Sequence, residues 1–214
     1  MIDQLAALLS SSSFPRMGHG QSENDDNLGM GWLYYALTRI YRPRLAVVIG
    51  SYRGFVPILI AKGLQDNAEG GELNFLDPSY VDEFWSDPQA VTKYFNNFEL
   101  DNVRHFKMTT AEFCQSSTYR DLQGIGIVFI DGLHTYDQAK ADFESFEHKL
   151  SKDGVMLLHD TASVAIGTIY GPGKGYIRNV PRLINELRKR QDLQVFDIHV
   201  AAGVALVNRI PIPS

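Results

Sequence analysis

The sequence has very little cysteine, no long hydrophobic run and no excess of basic residues. Cys114 is the single cysteine among 214 residues, so no disulfide can form within the chain, as is typical of proteins from reducing compartments. No apolar stretch approaches the ~18 residues that a membrane-spanning helix needs. The first residues also lack the basic start of a signal peptide. We therefore expect a cytoplasmic protein without a membrane partner.

The charge balance argues against nucleic acid as the main partner. The formal net charge is −5, whereas a chain that binds a polyanion usually carries a basic surface. Several basic residues do cluster late in the chain, but their spacing is typical of a solvated helix face. These residues are Arg178, Arg182, Arg188, Lys189 and Arg190. We expect a small-molecule partner instead, and a homo-oligomer remains an option.

The length and the hydrophobic content of 44% suit one domain with a sizeable core. We assign residues 28–214 to that domain and residues 1–27 to an N-terminal arm or lid. Residues 1–13 carry a short apolar helix pattern, and the polar, glycine-containing residues 14–27 are typical of a loop. This loop is either a disordered arm or a lid over the substrate. His19, between two glycines, is a candidate substrate contact.

Apolar strand patterns alternate with amphipathic helix patterns along the rest of the chain. The predicted strands are residues 45–49, 72–76, 103–107, 125–130 and 155–158, followed by a hairpin of 193–199 and 204–208. This order predicts an α/β fold with a doubly wound, mostly parallel seven-stranded sheet that ends in an antiparallel hairpin. Residues 162–179 are rich in glycine, and we expect them to form a mobile loop over the site.

The turn after the first predicted strand has the form of a nucleotide cradle. The strand ends at Gly50, Gly54 follows four residues later, and a helix begins there, so its free N–H groups face the turn. This spacing lacks the three glycines of a dinucleotide fold, which favours a nucleoside ligand without phosphates, of which S-adenosylmethionine is the common one. Gly50, Ser51, Tyr52 and Gly54 are therefore candidate cofactor-binding residues. The alternative is that the glycines serve only the turn.

Two further residues are candidates for the rest of the cofactor. Asp77 ends the second predicted strand, where a carboxylate can accept both ribose hydroxyls. Its other interpretation is a turn aspartate before Pro78. Thr110 begins the helix after the third strand, in the region that usually meets the adenine in such folds.

Acidic and imidazole side chains follow the fourth and fifth strands. Asp131 and His134 come after one, and His159 and Asp160 after the other, so they should meet at one edge of the sheet. Paired carboxylates suit Mg²⁺ or a similar ion, which would activate a substrate hydroxyl. His134 is placed to accept the hydroxyl proton. Alternatively, these aspartates cap helices and His159 binds a loop.

Four stretches together resemble the class I S-adenosylmethionine-dependent methyltransferases. They are residues 47–54, Asp77, residues 129–136 and residues 157–160. The closer resemblance is to the branch of small-molecule O-methyltransferases similar to catechol O-methyltransferase and to the macrolide-sugar O-methyltransferases. It covers roughly residues 28–208, and its most specific part is the Ile-Asp-Gly-x-His-x-Tyr stretch with the later His-Asp.

The resemblance implies roles at the matching positions. Gly50, Ser51 and Gly54 would line the methionine and ribose side of the cofactor, which Asp131 also borders, and Asp77 would hold the ribose. Asp131 and Asp160 match metal-binding aspartates, and His134 matches a proposed general base.

Two departures from the family pattern stand out. Val48 occupies a position that is often acidic in the family. The third metal ligand of the family is commonly Asn or an acidic residue. In this sequence the candidates are His159 and Thr161, of which His159 is the better ligand.

The resemblance thus implies an S-adenosylmethionine-dependent methyltransferase that acts on a hydroxyl of a small molecule, such as a sugar, a phenol or a secondary metabolite, with assistance from Mg²⁺ or another divalent cation. Two alternatives stay open. One is a hydroxylase-like relative of the same fold, and the other is a non-catalytic cofactor-binding subunit.

Overall fold

The computed structural model describes residues 18–22 and 27–210. In chain order the elements are α1 (Gly31–Tyr41), β1 (Leu45–Ile49), α2 (Phe55–Asn67), β2 (Glu72–Leu76), α3 (Pro88–Asn96), β3 (Val103–Phe106), α4 (Thr110–Phe113), α5 (Ser117–Asp121), β4 (Ile125–Ile130), α6 (Tyr136–Glu147), β5 (Leu150–His159), β6 (Ala165–Gly167), β7 (Tyr176–Arg178), α7 (Val180–Leu187), β8 (Leu193–Ile198) and β9 (Val204–Arg209). The helix pattern in residues 1–13 and most of the predicted loop lie outside the described residues.

Seven of these strands form one sheet, in the order β3-β2-β1-β4-β5-β9-β8. The first five are parallel, β9 runs antiparallel to β5, and β8 runs antiparallel to β9. The predicted mostly parallel sheet with its antiparallel hairpin is confirmed. The strand order reverses between β1 and β4, and ligands of such sheets bind beyond the strand ends at that point.

The central strands are buried on both faces, as helices on both sides require. All six residues of β4 are buried. Successive residues of β1 point to opposite faces: Val48 lies in the apolar cluster that includes residues of α1 and α2, whereas Val47 lies in the cluster that includes residues of α6 and α7. The uninterrupted apolar runs in the sequence are the direct consequence of this burial.

Glycines allow α1 and α2 to pack closely. A Cβ at Gly31 would lie 2.5 Å from Leu59 Cδ1, and a Cβ at Gly63 would lie 2.7 Å from Thr38 Cβ. This contact fixes α1 over the sheet and buries Tyr34 within the domain. Tyr34 is one of the side chains on which the site described below depends.

The structure corrects the sequence interpretation in two places. Within the predicted loop 162–179, β6 and β7 pair as an antiparallel hairpin. The spacing of Thr135 and Gln138 predicts a capping box at the start of α6, but only half of it forms. Thr135 Oγ1 accepts from the Gln138 backbone N–H at 3.2 Å, while the Gln138 side chain donates to Asp142.

None of the helices in the described ranges is long and apolar enough to cross a membrane.

Candidate active site

A cavity of about 670 Å³ opens at the carboxyl ends of β1, β2, β4 and β5, a size that is typical of small-molecule sites. Of the predicted site residues, nine line it: Gly50, Ser51, Tyr52, Asp77, Thr110, Asp131, His134, His159 and Asp160. Gly54 is not among the lining residues. A Cβ there would lie 3.0 Å from the Trp85 ring and 3.2 Å from the Tyr94 ring, so Gly54 serves the packing beneath the turn.

The turn at Gly50 needs glycine for two reasons. Its φ of +71° is in the left-handed region, which residues with a Cβ rarely adopt. A Cβ would also lie 2.6 Å from the Asp131 carbonyl oxygen and from the Gly132 Cα. The loops after β1 and β4 therefore touch through their backbones, and this contact fixes the position of Asp131.

Two side chains from α3 and the loop before it hold the rest of the turn. The Trp85 indole N–H donates to the Tyr52 carbonyl at 3.0 Å, and the Tyr94 hydroxyl donates to the Arg53 carbonyl at 2.6 Å. The backbone of the turn thus has a fixed course even though Tyr52 itself has a positive φ of 46°.

Ser51 and Asp77 form a polar pair at this end of the cavity. The Ser51 N–H donates to Asp77 Oδ2 at 3.3 Å, and the Ser79 N–H donates to Asp77 Oδ1 at 2.8 Å. Burial raises the pKa of Asp77, while these two hydrogen bonds oppose the shift. The buried Ser51 Oγ has no hydrogen-bond partner in the described part of the chain. An orphaned hydroxyl beside a carboxylate is the arrangement that a bound ribose would complete.

Thr110, Gln138 and Asp142 form the wall next to this pair. Asp142 is buried, its Oδ1 accepts from Gln138 Nε2 at 2.8 Å, and burial raises its pKa to about 6 against the hydrogen bonds from Thr110 and Gln138. Sequence reasoning missed Asp142. The available signal was an acidic residue next to Phe143 in the buried stripe of a helix.

His134 lies between the ends of β4 and β5. Its Nε2 is 3.0 Å from Asp131 Oδ1, and its Nδ1 is 3.1 Å from Asp160 Oδ2. Its carbonyl accepts from the Asn179 N–H at 2.8 Å, and Thr135 caps the helix that follows. The prediction that His134, Asp131 and Asp160 meet at one edge therefore matches their placement.

Asp131 and His159 form a nearly buried ion pair, with His159 Nδ1 2.7 Å from Asp131 Oδ1. Burial by itself would raise the pKa of Asp131, but the charge on His159 and the hydrogen bonds from His134 and His159 hold it well below its usual range. Burial would lower the pKa of His159, yet the Asp131 carboxylate raises it overall. Each partner therefore favours the charged form of the other.

His19 lies directly behind this pair. Its ring is fully buried, its centroid is 4.2 Å from that of His159, and it stacks on Phe55 at 5.1 Å. His19 Nδ1 lies 3.0 Å from the Tyr34 hydroxyl, and Nε2 lies 3.7 Å from Asp131 Oδ2. Burial and the neighbouring His159 lower its pKa to about 3, so the ring is neutral. The sequence marked His19 only as a candidate substrate contact, because a histidine in a glycine-containing loop carries no sign of burial.

Arg178 is a cavity-lining residue that the sequence analysis misplaced. We grouped it with a solvated helix face, but it ends β7 and donates to Asp160 Oδ2 at 2.6 Å. The β6–β7 hairpin is thereby tied to the end of β5. Tyr170 and Tyr176 of the same segment line the cavity, so the hairpin forms part of the cavity wall.

Two groups of side chains among the described residues could hold a metal ion, and both include the predicted ligand His159. One contains His19, Asp131 and His159, and the other contains His134, His159 and Asp160. Mg²⁺ prefers an octahedron of oxygens, whereas both groups are rich in imidazole and Asp160 already pairs with the guanidinium of Arg178. The predicted ligands Asp131, Asp160 and His159 thus do not fall within one of these groups among the described residues.

Comparisons with known proteins agree with this architecture. A family model described as a methyltransferase domain matches residues 47–161. An uncharacterized protein of Sinorhizobium fredii is 28% identical over 133 residues, which are 61% of this chain and 14% of that protein. The chain thus spans only a small part of that curated relative.

Solved structures show the same fold at low identity. The O-methyltransferase TomG from Streptomyces achromogenes, in complex with SAM, has a TM-score of 0.63 and 17% identity, with 98% of this chain and 89% of that one covered. An O-methyltransferase from Bacillus cereus in complex with SAH has a TM-score of 0.62 and 16% identity, with 98% and 90% covered.

Proposed function

Because the methyltransferase domain model matches more than half of the chain, the chain belongs to that family, and we propose that it transfers a methyl group from S-adenosylmethionine to a hydroxyl of a small molecule. One observation carries this proposal. A single cavity joins the Gly50 turn and Asp77 at one end to His134 and its two carboxylates at the other.

The cofactor end offers donors and acceptors suited to an adenosyl group. Asp77 would accept the ribose hydroxyls, and Ser51 Oγ has a free hydrogen-bonding capacity for the same ligand. The turn presents no cluster of glycines for phosphates, which S-adenosylmethionine lacks. When bound, this cofactor supplies a methyl group on a positively charged sulfur, so the protein has mainly to align the acceptor oxygen.

His134 is the proposed general base. The hydrogen bond from Nε2–H to Asp131 orients the ring, which leaves Nδ1 to take the proton of the acceptor hydroxyl. Because Nδ1 lies 3.1 Å from Asp160 Oδ2, the Asp160 side chain would have to move away from Nδ1 to admit the hydroxyl. Because Arg178 already neutralises Asp160, that carboxylate does not need Nδ1–H as a partner.

The acceptor is proposed to be a sugar, a phenol or a secondary metabolite. The β6–β7 segment contributes apolar and aromatic walls from Ile166, Ile169, Tyr170 and Tyr176, which suit a flat or sugar-like surface. A cytoplasmic location and the absence of nucleic-acid and membrane partners stay predictions, as do assistance from Mg²⁺ or another divalent cation and a homo-oligomeric state.

The test is homocysteine release from S-adenosylmethionine, coupled through a hydrolase, over a panel of phenolic and sugar acceptors. With a good acceptor, His134→Ala should lower kcat by about 10²–10⁴-fold. The dissociation constant for S-adenosylhomocysteine should stay within a few-fold. His148→Ala, at the end of α6 and outside the cavity lining, is the matched control and should leave both constants unchanged.

Three outcomes would argue against parts of the proposal. An unchanged kcat in His134→Ala would reject its role as the base. Binding of S-adenosylhomocysteine without turnover of any acceptor would favour the non-catalytic subunit. Oxygenated rather than methylated product would favour the hydroxylase-like alternative.

A further inference from the structure

We propose that His19, Asp131 and His159 together bind one divalent transition-metal ion of the class Mn²⁺, Fe²⁺, Co²⁺ or Zn²⁺. This donor set differs from the predicted magnesium ligands because it excludes Asp160 and includes a histidine from the N-terminal segment. Two imidazoles and one carboxylate prefer a borderline ion over Mg²⁺ or Ca²⁺. The proposal concerns metal binding and does not depend on methyl transfer.

The three side chains already have nearly the separations that a metal needs. His159 Nδ1 lies 2.7 Å from Asp131 Oδ1, and His19 Nε2 lies 3.7 Å from Asp131 Oδ2. One ligand atom from each residue lies within 4.8 Å of the others. Metal–nitrogen and metal–oxygen bonds of about 2.0–2.2 Å place neighbouring ligand atoms about 3.0–3.5 Å apart. Side-chain shifts of about an ångström would therefore complete the site.

Each imidazole also has a partner for the nitrogen that would not bind the metal. His19 Nδ1 lies 3.0 Å from the Tyr34 hydroxyl, and His159 Nε2 lies 3.4 Å from the Gly18 carbonyl oxygen. In both rings the remaining nitrogen faces Asp131. Metal-ligating histidines are commonly held in this way, with the second ring N–H donated to an oxygen. Asp131 is oriented in turn by His134.

The surroundings exclude bulk water but leave an approach from one side. His19 and His159 are buried, and about a tenth of the Asp131 side chain is exposed. Gly18, Asp131 and His159 line the cavity. An ion held by the three residues would lie at the cavity wall, with its free coordination positions toward the cavity.

The other group, His134, His159 and Asp160, is a poorer metal site. Arg178 donates to Asp160 Oδ2 at 2.6 Å, and its positive charge would repel a cation bound to the same carboxylate. His134 Nε2 is engaged by Asp131. We therefore assign the ion to the group that contains His19.

The test uses the tag-free full chain, stripped with a chelator and titrated with Co²⁺. We expect saturation at one ion per chain, visible bands of a low-coordinate Co²⁺ complex, and no displacement by excess Mg²⁺. Because both rings keep one N–H, the proton NMR spectrum should show two exchangeable, paramagnetically shifted imidazole signals. One signal or none would overturn the proposal, and this measurement needs no variant.

Variants then locate the ion. His19→Ala should weaken Co²⁺ binding by at least about 100-fold, and Tyr34→Phe, which removes only the outer partner, by about 10-fold. His148→Ala and Asp160→Asn should bind within a few-fold of the parent chain. Circular dichroism and thermal melting establish that each variant is folded. Loss of binding in Asp160→Asn with retention in His19→Ala would place the ion in the other group and overturn the assignment.

Discussion

At the scale of single residues, a comparison of Gly50 with Gly70 separates two penalties of replacing a glycine: backbone strain and steric overlap of the new Cβ. Both have a positive φ, of 71° and 68°, so alanine at either position is strained by about 1–2 kcal/mol. Only at Gly50 would the new Cβ lie against backbone, 2.6 Å from the Asp131 oxygen, whereas at Gly70 nothing lies within 4 Å.

We therefore predict that Gly50→Ala lowers the free energy of unfolding by about 2–5 kcal/mol, since overpacking adds to the strain. Gly70→Ala should lower it by only about 1–2 kcal/mol. Urea unfolding of the two variants measures the difference. Equal losses would mean that the loops after β1 and β4 can separate without penalty.

Asp142 gives a second prediction, on the pH dependence of stability. Burial raises its pKa to about 6, above the value of about 3.9 in an unfolded chain. Between about pH 4 and pH 6 the folded state keeps a proton that the unfolded state has lost. Stability therefore falls as the pH rises through this window, and the full penalty is present above about pH 6.

Asp142→Asn removes this titration, so it should stabilise the chain by about 1–3 kcal/mol at pH 8 and have little effect at pH 4. Thermal unfolding at the two pH values measures both. Asp137→Asn, on the exposed part of the same helix, controls for the change in net charge. A stabilisation of Asp142→Asn that is equal at both pH values would contradict the buried titration.

At the scale of elements, the β6–β7 hairpin is the part of the site that depends least on the main sheet. Within the described residues its two strands pair only with each other, and Ile166 and Ile177 on it are largely exposed. Its Tyr170 and Tyr176 nevertheless line the cavity. A ligand in the cavity should therefore order the hairpin more than the rest of the fold.

We predict that S-adenosylhomocysteine slows amide hydrogen exchange in residues 165–178. The β8–β9 hairpin, which is part of the main sheet, should change little and serves as an internal control. Hydrogen exchange read out by mass spectrometry distinguishes the two segments. Equal protection of both hairpins would indicate general stabilisation instead of closure over the ligand.

The contrast between these hairpins also explains what the sequence could predict. Strands of the main sheet are buried on both faces, so β1 and β4 appear as apolar runs with turn residues at their ends. The β6 and β7 strands have three residues each, lie among glycines and leave one face open, so they appear as a loop. Asp131, His134 and Asp160 could be placed because each follows a strand. His19 and Arg178 could not, because tertiary packing brings them to the site.

At the scale of the whole molecule, the two halves of the sheet position different parts of the cavity wall. The strands β1 and β2 position the Gly50 turn and Asp77, while β4 and β5 position Asp131, His134 and His159. The switch point between β1 and β4 joins the two, which is where ligands of such sheets bind. A ligand bound across this point should therefore raise the melting temperature of the domain.

We predict a melting temperature about 5–10 °C higher with S-adenosylhomocysteine at 100 times its dissociation constant. At that concentration a ligand specific for the folded state adds about 2.7 kcal/mol, and each kcal/mol shifts the melting temperature of a chain of this size by about 2–4 °C. Asp77→Ala should lose most of the shift at the same ligand concentration, and Asp121→Ala, outside the cavity, should keep it.

NAD⁺ should give no shift, because the Gly50 turn lacks a pyrophosphate-binding glycine cluster. A shift with NAD⁺ that exceeds the one with S-adenosylhomocysteine would identify the cavity as a dinucleotide site and remove the basis for methyl transfer.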